Sequence, residues 1–179
     1  MTENILKNDH KVKICVLSHS KELINHFIRK LLSIHKEEAT FRNFAALGIS
    51  IATINLSTNN NRFKLILLIT TGQEFLDKLR LYYQGASGAI ILFNSTNSDS
   101  FEAAKRHFQY FRKITLNPLV PIIFIDILEK YKEIIIEEPE RLEEESNILY
   151  YEINEDNFPA FNNILESIIR NHWATLVPS

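Results

Sequence analysis

"KICVLSHSKELINHF", residues 13–27, decides the fold class. Ile14 to Leu17 is a continuous apolar run of the kind that fills a buried strand, and Leu23 to Phe27 opens an apolar helical face. A strand that feeds directly into a helix is the founding unit of an α/β domain, with parallel strands covered by helices. Its junction is also the place where such domains bind phosphates, because main-chain amides point out of the helix N-terminus. Here the junction is four or five residues long, contains no glycine and carries Glu22.

The pattern continues outward from that unit. Val12–Leu17 reads as a strand, and Glu22–Ile34 as a helix burying Leu23, Ile24, Phe27, Ile28, Leu31 and Leu32. Ile49–Leu56 and Phe63–Ile69, joined by the turn cluster "STNNN", read as a hairpin. "DKLRLYYQGASG" is a short helix and turn, and Ala89–Phe93 a buried strand. Ser98 or Asp99 is the expected cap of a helix lined by Phe101, Ala104, Phe108 and Phe111. Val120–Ile125 is a strand with Pro121 near its start, Pro139–Glu145 a short surface helix, and Ile148–Tyr151 a short strand. Phe158, Phe161, Leu165, Ile168 and Ile169 mark a final helix. The expectation is a three-layer α/β/α fold with a six-stranded, mostly parallel sheet and one antiparallel edge strand. One domain over residues 11–172 is expected, between a flexible N-terminus at 1–10 and a C-terminal tail at 173–179.

Composition limits the function. Hydrophobic residues make up 45% of the 179, enough for a sizeable core, and the net charge of -2 points to neither nucleic acid nor an anionic membrane. Cys15, the single cysteine, lies in an apolar run and reads as buried and unreactive. No stretch reaches the roughly 20 apolar residues of a membrane span. Thr2 and the cysteine-free ending "WATLVPS" argue against a lipid anchor, so a cytoplasmic chain is expected. Glu129–Glu145 holds eight Glu against three Lys or Arg and reads as a solvated helical face.

Residues 70–101, "TTGQEFLDKLRLYYQGASGAIILFNSTNSDSF", carry a resemblance. They are similar to the Ras-like small GTPases, and most to the Rab branch, whose pattern runs D-T-A-G-Q-E, Y-Y-R-G-A, a strand ending in D-x-T, and S-F opening a helix. Thr70, Gly72, Gln73, Glu74, Tyr82, Tyr83, Gly85, Ala86, Gly88, Thr96, Ser100 and Phe101 fit it. "ALGISIATINL" resembles T-I-G-x-D-F and the strand after it, and "NPLVPIIFI" resembles the strand that ends in N-K-x-D. The resemblance implies a P-loop small-GTPase fold over roughly residues 11–172, with GTP and magnesium as the family's ligands.

The stations that hold those ligands are changed. The family's G-x-x-x-x-G-K-[ST] loop wraps phosphates with successive amides, meets their charge with Lys and binds magnesium through its hydroxyl. This sequence offers Ser18, His19, Ser20 and Lys21, so about 10 Å of chain is missing at roughly 3.3–3.6 Å per residue. Lys21 stands for the family Lys, and Glu22 then replaces the metal-binding hydroxyl. The switch Thr becomes Ala46, the Asp of D-T-A-G becomes Ile69, N-K-x-D becomes Asp126, Ile127, Leu128 and Glu129, and the S-A-K loop falls at about Ile153–Glu155 without its residues. At ~1–3 kcal/mol per lost contact the sum exceeds about 5 kcal/mol, enough to reduce tight nucleotide binding to millimolar or less.

The resulting expectation is a pseudo-GTPase without cofactor or catalytic residue, Gln73 being a relic of the water-positioning Gln. It acts as a protein-binding adaptor or complex subunit. Its expected interface is the switch-equivalent set Phe41, Phe44, Leu47, Leu76, Leu79, Tyr82 and Tyr83, unless these side chains turn inward and fill the former nucleotide pocket. The partner is a protein, either an intact GTPase or a second copy. Two alternatives stand beside it. One is a divergent GTPase that binds and slowly hydrolyses GTP with magnesium, using Ser20, Lys21, Gly72, Asp126 and Glu129. The other is a small-molecule binding module built in the old pocket.

Overall fold

The computed structural model describes residues 8–44, 48–57, 61–71, 76–115, 120–127 and 148–154, together with 161, 162, 165 and 169. The apolar run at the start of the chain is the centre of an 11-residue strand, β1 (Asn8–Ser18), which passes through His19 and Ser20 into α1 (Lys21–Ile34). Then come β2 (Ala39–Phe44), β3 (Ile49–Ser57), β4 (Asn61–Thr71), α2 (Leu76–Tyr83), β5 (Gly88–Phe93), α3 (Ser98–Thr115), β6 (Ile122–Ile127) and β7 (Ile148–Ile153).

The strands form one sheet in the order β2-β3-β4-β1-β5-β6-β7. β1 pairs in parallel with both β4 and β5, and β5, β6 and β7 continue in parallel. β3 is antiparallel to β4 and to β2. The expected sheet of six strands is therefore a sheet of seven. The antiparallel strand β3 is not the edge, because β2 adds to it and takes the edge itself. β2 escaped the sequence reading because it carries no buried face: Thr40 to Phe44 are all exposed, so no inside-outside alternation marks it.

Two apolar cores sandwich the sheet, giving the expected three layers. Strands alternate their side chains between faces, so Val12, Ile14 and Val16 of β1 join one core and Cys15 and Leu17 the other. The first core is closed by Ile24, Phe27, Ile28 and Leu31 of α1 and by Phe161, Leu165 and Ile169. Phe27 meets Phe161 edge-on, with ring centroids 5.2 Å apart. The second core is closed by Tyr83 of α2 and by Phe101, Ala104 and Phe111 of α3. Cys15 is fully buried, and burial pushes its thiol up to about 12, so it is a packing residue.

Two local expectations change. The cap of α3 is Asn97 rather than Ser98 or Asp99, since its Oδ1 accepts from the Ser100 amide at 3.2 Å. Pro121 precedes β6 instead of lying in it, and its carbonyl accepts the Ala89 amide at 3.1 Å. The acidic segment at 129–145 and the surface helix at 139–145 lie outside the described residues, as do residues 1–7 and 170–179.

Candidate functional site: the carboxyl ends of the central strands

β1, β5 and β6 end side by side, at Ser18, Phe93 and Ile127. In an open parallel sheet this is the edge where ligands bind. The β1–α1 turn there holds only His19 and Ser20 between strand and helix. The buried Ser18 Oγ accepts a hydrogen bond from the Ser20 amide at 3.2 Å. Ser20 Oγ accepts one from the Leu23 amide, also at 3.2 Å, and so caps α1. Glu22 lies in the first helical turn with its Oε2 3.5 Å from Ser20 Oγ, where a carboxylate suits the helix dipole. Lys21, the first residue of α1, is exposed. The turn rests near α3, and partial burial, with Arg106 beside it, holds the His19 imidazole below its usual pKa while Asp99 opposes the shift.

The loop after β5 is knitted by its own side chains. Ser100 Oγ accepts from the Asn94 amide at 3.0 Å, and Asn94 Oδ1 accepts from the Thr96 amide and hydroxyl at 2.8 and 2.6 Å. The Ser95 amide donates to Asp126 Oδ1 at 2.9 Å, which ties the ends of β5 and β6 together. Asp126 is fully buried, and the Tyr150 hydroxyl lies 3.3 Å from its Oδ2 and 3.2 Å from Glu152 Oε1. Desolvation holds the Asp126 carboxyl above the ordinary carboxylate range, and the hydrogen bonds from Ser95 and Tyr150 oppose it. Burial first, then the two neighbouring carboxylates, raise the Tyr150 phenol, so it stays a donor at neutral pH.

Beyond this edge, α2 presents its residues unequally. Tyr83 is fully buried among Tyr110 and Phe111, and its hydroxyl lies 3.2 Å from Thr70 Oγ1. Tyr82 is half-buried against the same core, and Leu81 is 76% exposed. Gly85 closes the helix at φ +70, a left-handed conformation that glycine adopts without strain. In β2, Phe41 and Phe44 are each 39% exposed.

A family model described as "Ras family" matches residues 30–173. The chain belongs to the Ras family. Among curated proteins it is 25% identical over 188 residues to Ras-related protein Rab-11B of Dictyostelium discoideum, covering 98% of this chain and 84% of that protein. It is 29% identical over 130 residues to Ras-related protein RHN1 of Nicotiana plumbaginifolia, covering 70% and 64%. It is 31% identical over 114 residues to Ras-related protein Rab-21 of Homo sapiens, covering 62% and 50%. The chain thus spans between half and two thirds of the length of the latter two. These relatives make it a Ras-like small GTPase homologue of the Rab-like branch. The matched span opens inside α1, after the β1–α1 turn.

Among the residues singled out in this Ras-family chain, Ser20, Lys21 and Asp126 sit on the ligand edge of the sheet, Ser20 as a cap and Asp126 as a buried acceptor. Gly72, Gln73, Glu129, Ala46 and Leu47 lie outside the described residues. Leu76 and Leu79 belong to α2. Phe41 and Phe44 face outward rather than into a pocket. Tyr83 is corrected from interface residue to core residue, because its ring and hydroxyl are both satisfied inside. Ser95 and Tyr150 were missed as the partners of Asp126. The sequence signal for Tyr150 was its place two residues before Glu152 in "ILYYEI", which puts both on one strand face.

Proposed function

We propose that this Ras-family chain is a pseudo-GTPase, a cytoplasmic adaptor or complex subunit that binds a protein partner through its switch-equivalent surface without a nucleotide cycle. The observation that carries this reading is the self-capped β1–α1 turn. Two residues cannot encircle a triphosphate, and without glycine they resist the left-handed conformations that wrapping uses. The Ser20 amide is engaged by Ser18 Oγ and the Leu23 amide by Ser20 Oγ. Glu22 stands beside them, where a carboxylate repels phosphate unless a cation intervenes. On these grounds the residues at the turn do not fit GTP with magnesium, and no step is routed through either.

The partner surface in this reading is the outer edge of the sheet. Among the described residues β2 pairs only with β3, and it carries Phe41 and Phe44 exposed. Exposed aromatics on an edge strand are poor solvent-facing residues and good anchors for another chain. An intact GTPase or a second copy is the occupant proposed. Without a nucleotide to order or release it, this face is constitutive. Titration of the purified protein with fluorescent GTP and magnesium tests the reading. No saturable signal is expected, and stoichiometric micromolar binding would return the chain to the working GTPases.

A further inference from the structure

At the other end of β1, roughly 25 Å from the turn at the rise of an extended strand, lies a groove of about 450 Å³. It is lined by His10, Lys11, Asn55, Ser57, Arg62 and Lys64, with Leu56 and Phe63 beneath. The register explains the grouping. Lys11 is level with Lys64, Lys64 with Asn55, and Arg62 with Ser57, so the first starts of β1 and β4 and the end of β3 bring their polar side chains to one place. Lys11, Arg62, Lys64, Asn55 and Ser57 are all exposed. His10 stacks on Phe63, with centroids 5.2 Å apart and planes 28° from parallel.

Among the residues whose side chains are described, which exclude Asp9, Lys11, Arg62 and Lys64 make no salt bridge. The only acid in β1, β3 or β4 is Asp9, level with Arg62. Three like charges lining one concavity on a chain of net charge -2 form a local positive field that an anion relieves. The volume falls in the range of small-ligand sites. Ser57 supplies a neutral donor and acceptor beside the cations, and Asn55, whose Nδ2 lies 3.5 Å from the Glu38 carbonyl, supplies an acceptor in its Oδ1, as a polyol bearing phosphates requires.

We infer that this groove binds a phosphorylated polyol, either free or as a lipid headgroup, independently of the nucleotide edge and of the function proposed above. The test uses the full chain. Inositol trisphosphate is titrated by calorimetry, and phosphatidylcholine vesicles with and without phosphatidylinositol bisphosphate are used in flotation. Saturable binding is expected with the soluble probe, weakening at high salt. The double variant Arg62→Glu, Lys64→Glu should lose about tenfold or more in affinity, since each charge-assisted contact is worth at least that factor. Arg62→Gln, Lys64→Gln, with an unchanged melting temperature, guards against loss through misfolding. Flotation only with the phosphorylated lipid assigns the source as a headgroup, and binding of the soluble probe without flotation assigns a free ligand. Absence of binding to both probes, or binding untouched by either double variant, overturns the inference.

Discussion

Ser20 Oγ and the Leu23 amide, 3.2 Å apart, form the cap that starts α1 directly at the end of β1. At that place the Ras family carries its phosphate loop. The hydroxyl therefore has a structural duty in this chain. Ser20→Ala should cost about 1 kcal/mol of stability and Ser20→Gly only a few tenths, measured by urea unfolding. No measurable loss in Ser20→Ala would show that the hydroxyl caps nothing.

Tyr83 and Tyr82 are neighbours with different duties. Tyr83→Phe leaves the buried Thr70 Oγ1 without its partner, and should cost about 1–3 kcal/mol. Tyr82→Phe should fall within about 0.5 kcal/mol of the parent. A reversed order in thermal unfolding would contradict the burial assigned to α2.

His107 sets an acid limit. It is 3% exposed, and burial, aided by His19 and Arg106, lowers it from 6.5 to about 4. Its folded-state value is depressed, so the neutral imidazole favours the fold above the unfolded value of 6.5, and this contribution is lost as pH falls towards 4. At 1.36 kcal/mol per unit the loss reaches about 3 kcal/mol. The His107 ring resonances should titrate with a midpoint near 4. A midpoint above 6 would contradict the account.

Asp126 acts in the opposite direction. Burial raises its carboxyl above the unfolded value of 3.8, so its ionisation penalises the fold increasingly as pH rises from there through the folded value. Asp126→Asn keeps an oxygen for the Ser95 amide and removes the charge. The variant should gain on the parent between pH 4 and pH 7, as read by parallel urea titrations. A gain that shrinks over that range would contradict the account.

The parts of this structure legible in the sequence were those with a buried side. β1, β5 and β6 are apolar on both faces and stood out as unbroken runs, and α1 and α3 showed their helical period. β2 was not legible, because an edge strand exposed on both faces has no burial pattern to print. The motif placed Tyr82 and Tyr83 correctly along the chain but could not say which faced inward, since adjacent helical residues diverge by about 100°. Asn97 took the cap from Ser98 and Asp99 because capping depends on where the first turn closes, and Asn, Ser and Asp compete nearly equally for it. The glycine-free turn was legible as a place in the chain but not in its length: four or five residues were expected, and because β1 runs on to Ser18 and α1 begins at Lys21, only His19 and Ser20 remain between them.

Phe41 and Phe44 give the adaptor reading its mutational test. Phe44→Glu, on an exposed edge, should abolish capture of a purified partner GTPase or self-association while shifting the melting temperature by no more than a degree or two. Partner binding that survives the substitution would remove β2 from the interface.

In the function proposed for this chain, the β1–α1 turn holds no nucleotide. The direct measurement is the nucleotide content of the protein purified in magnesium buffer, denatured and resolved by chromatography. Guanine nucleotide far below one equivalent is expected, with none retained after incubation with excess GTP. One GDP or GTP released per chain would contradict it.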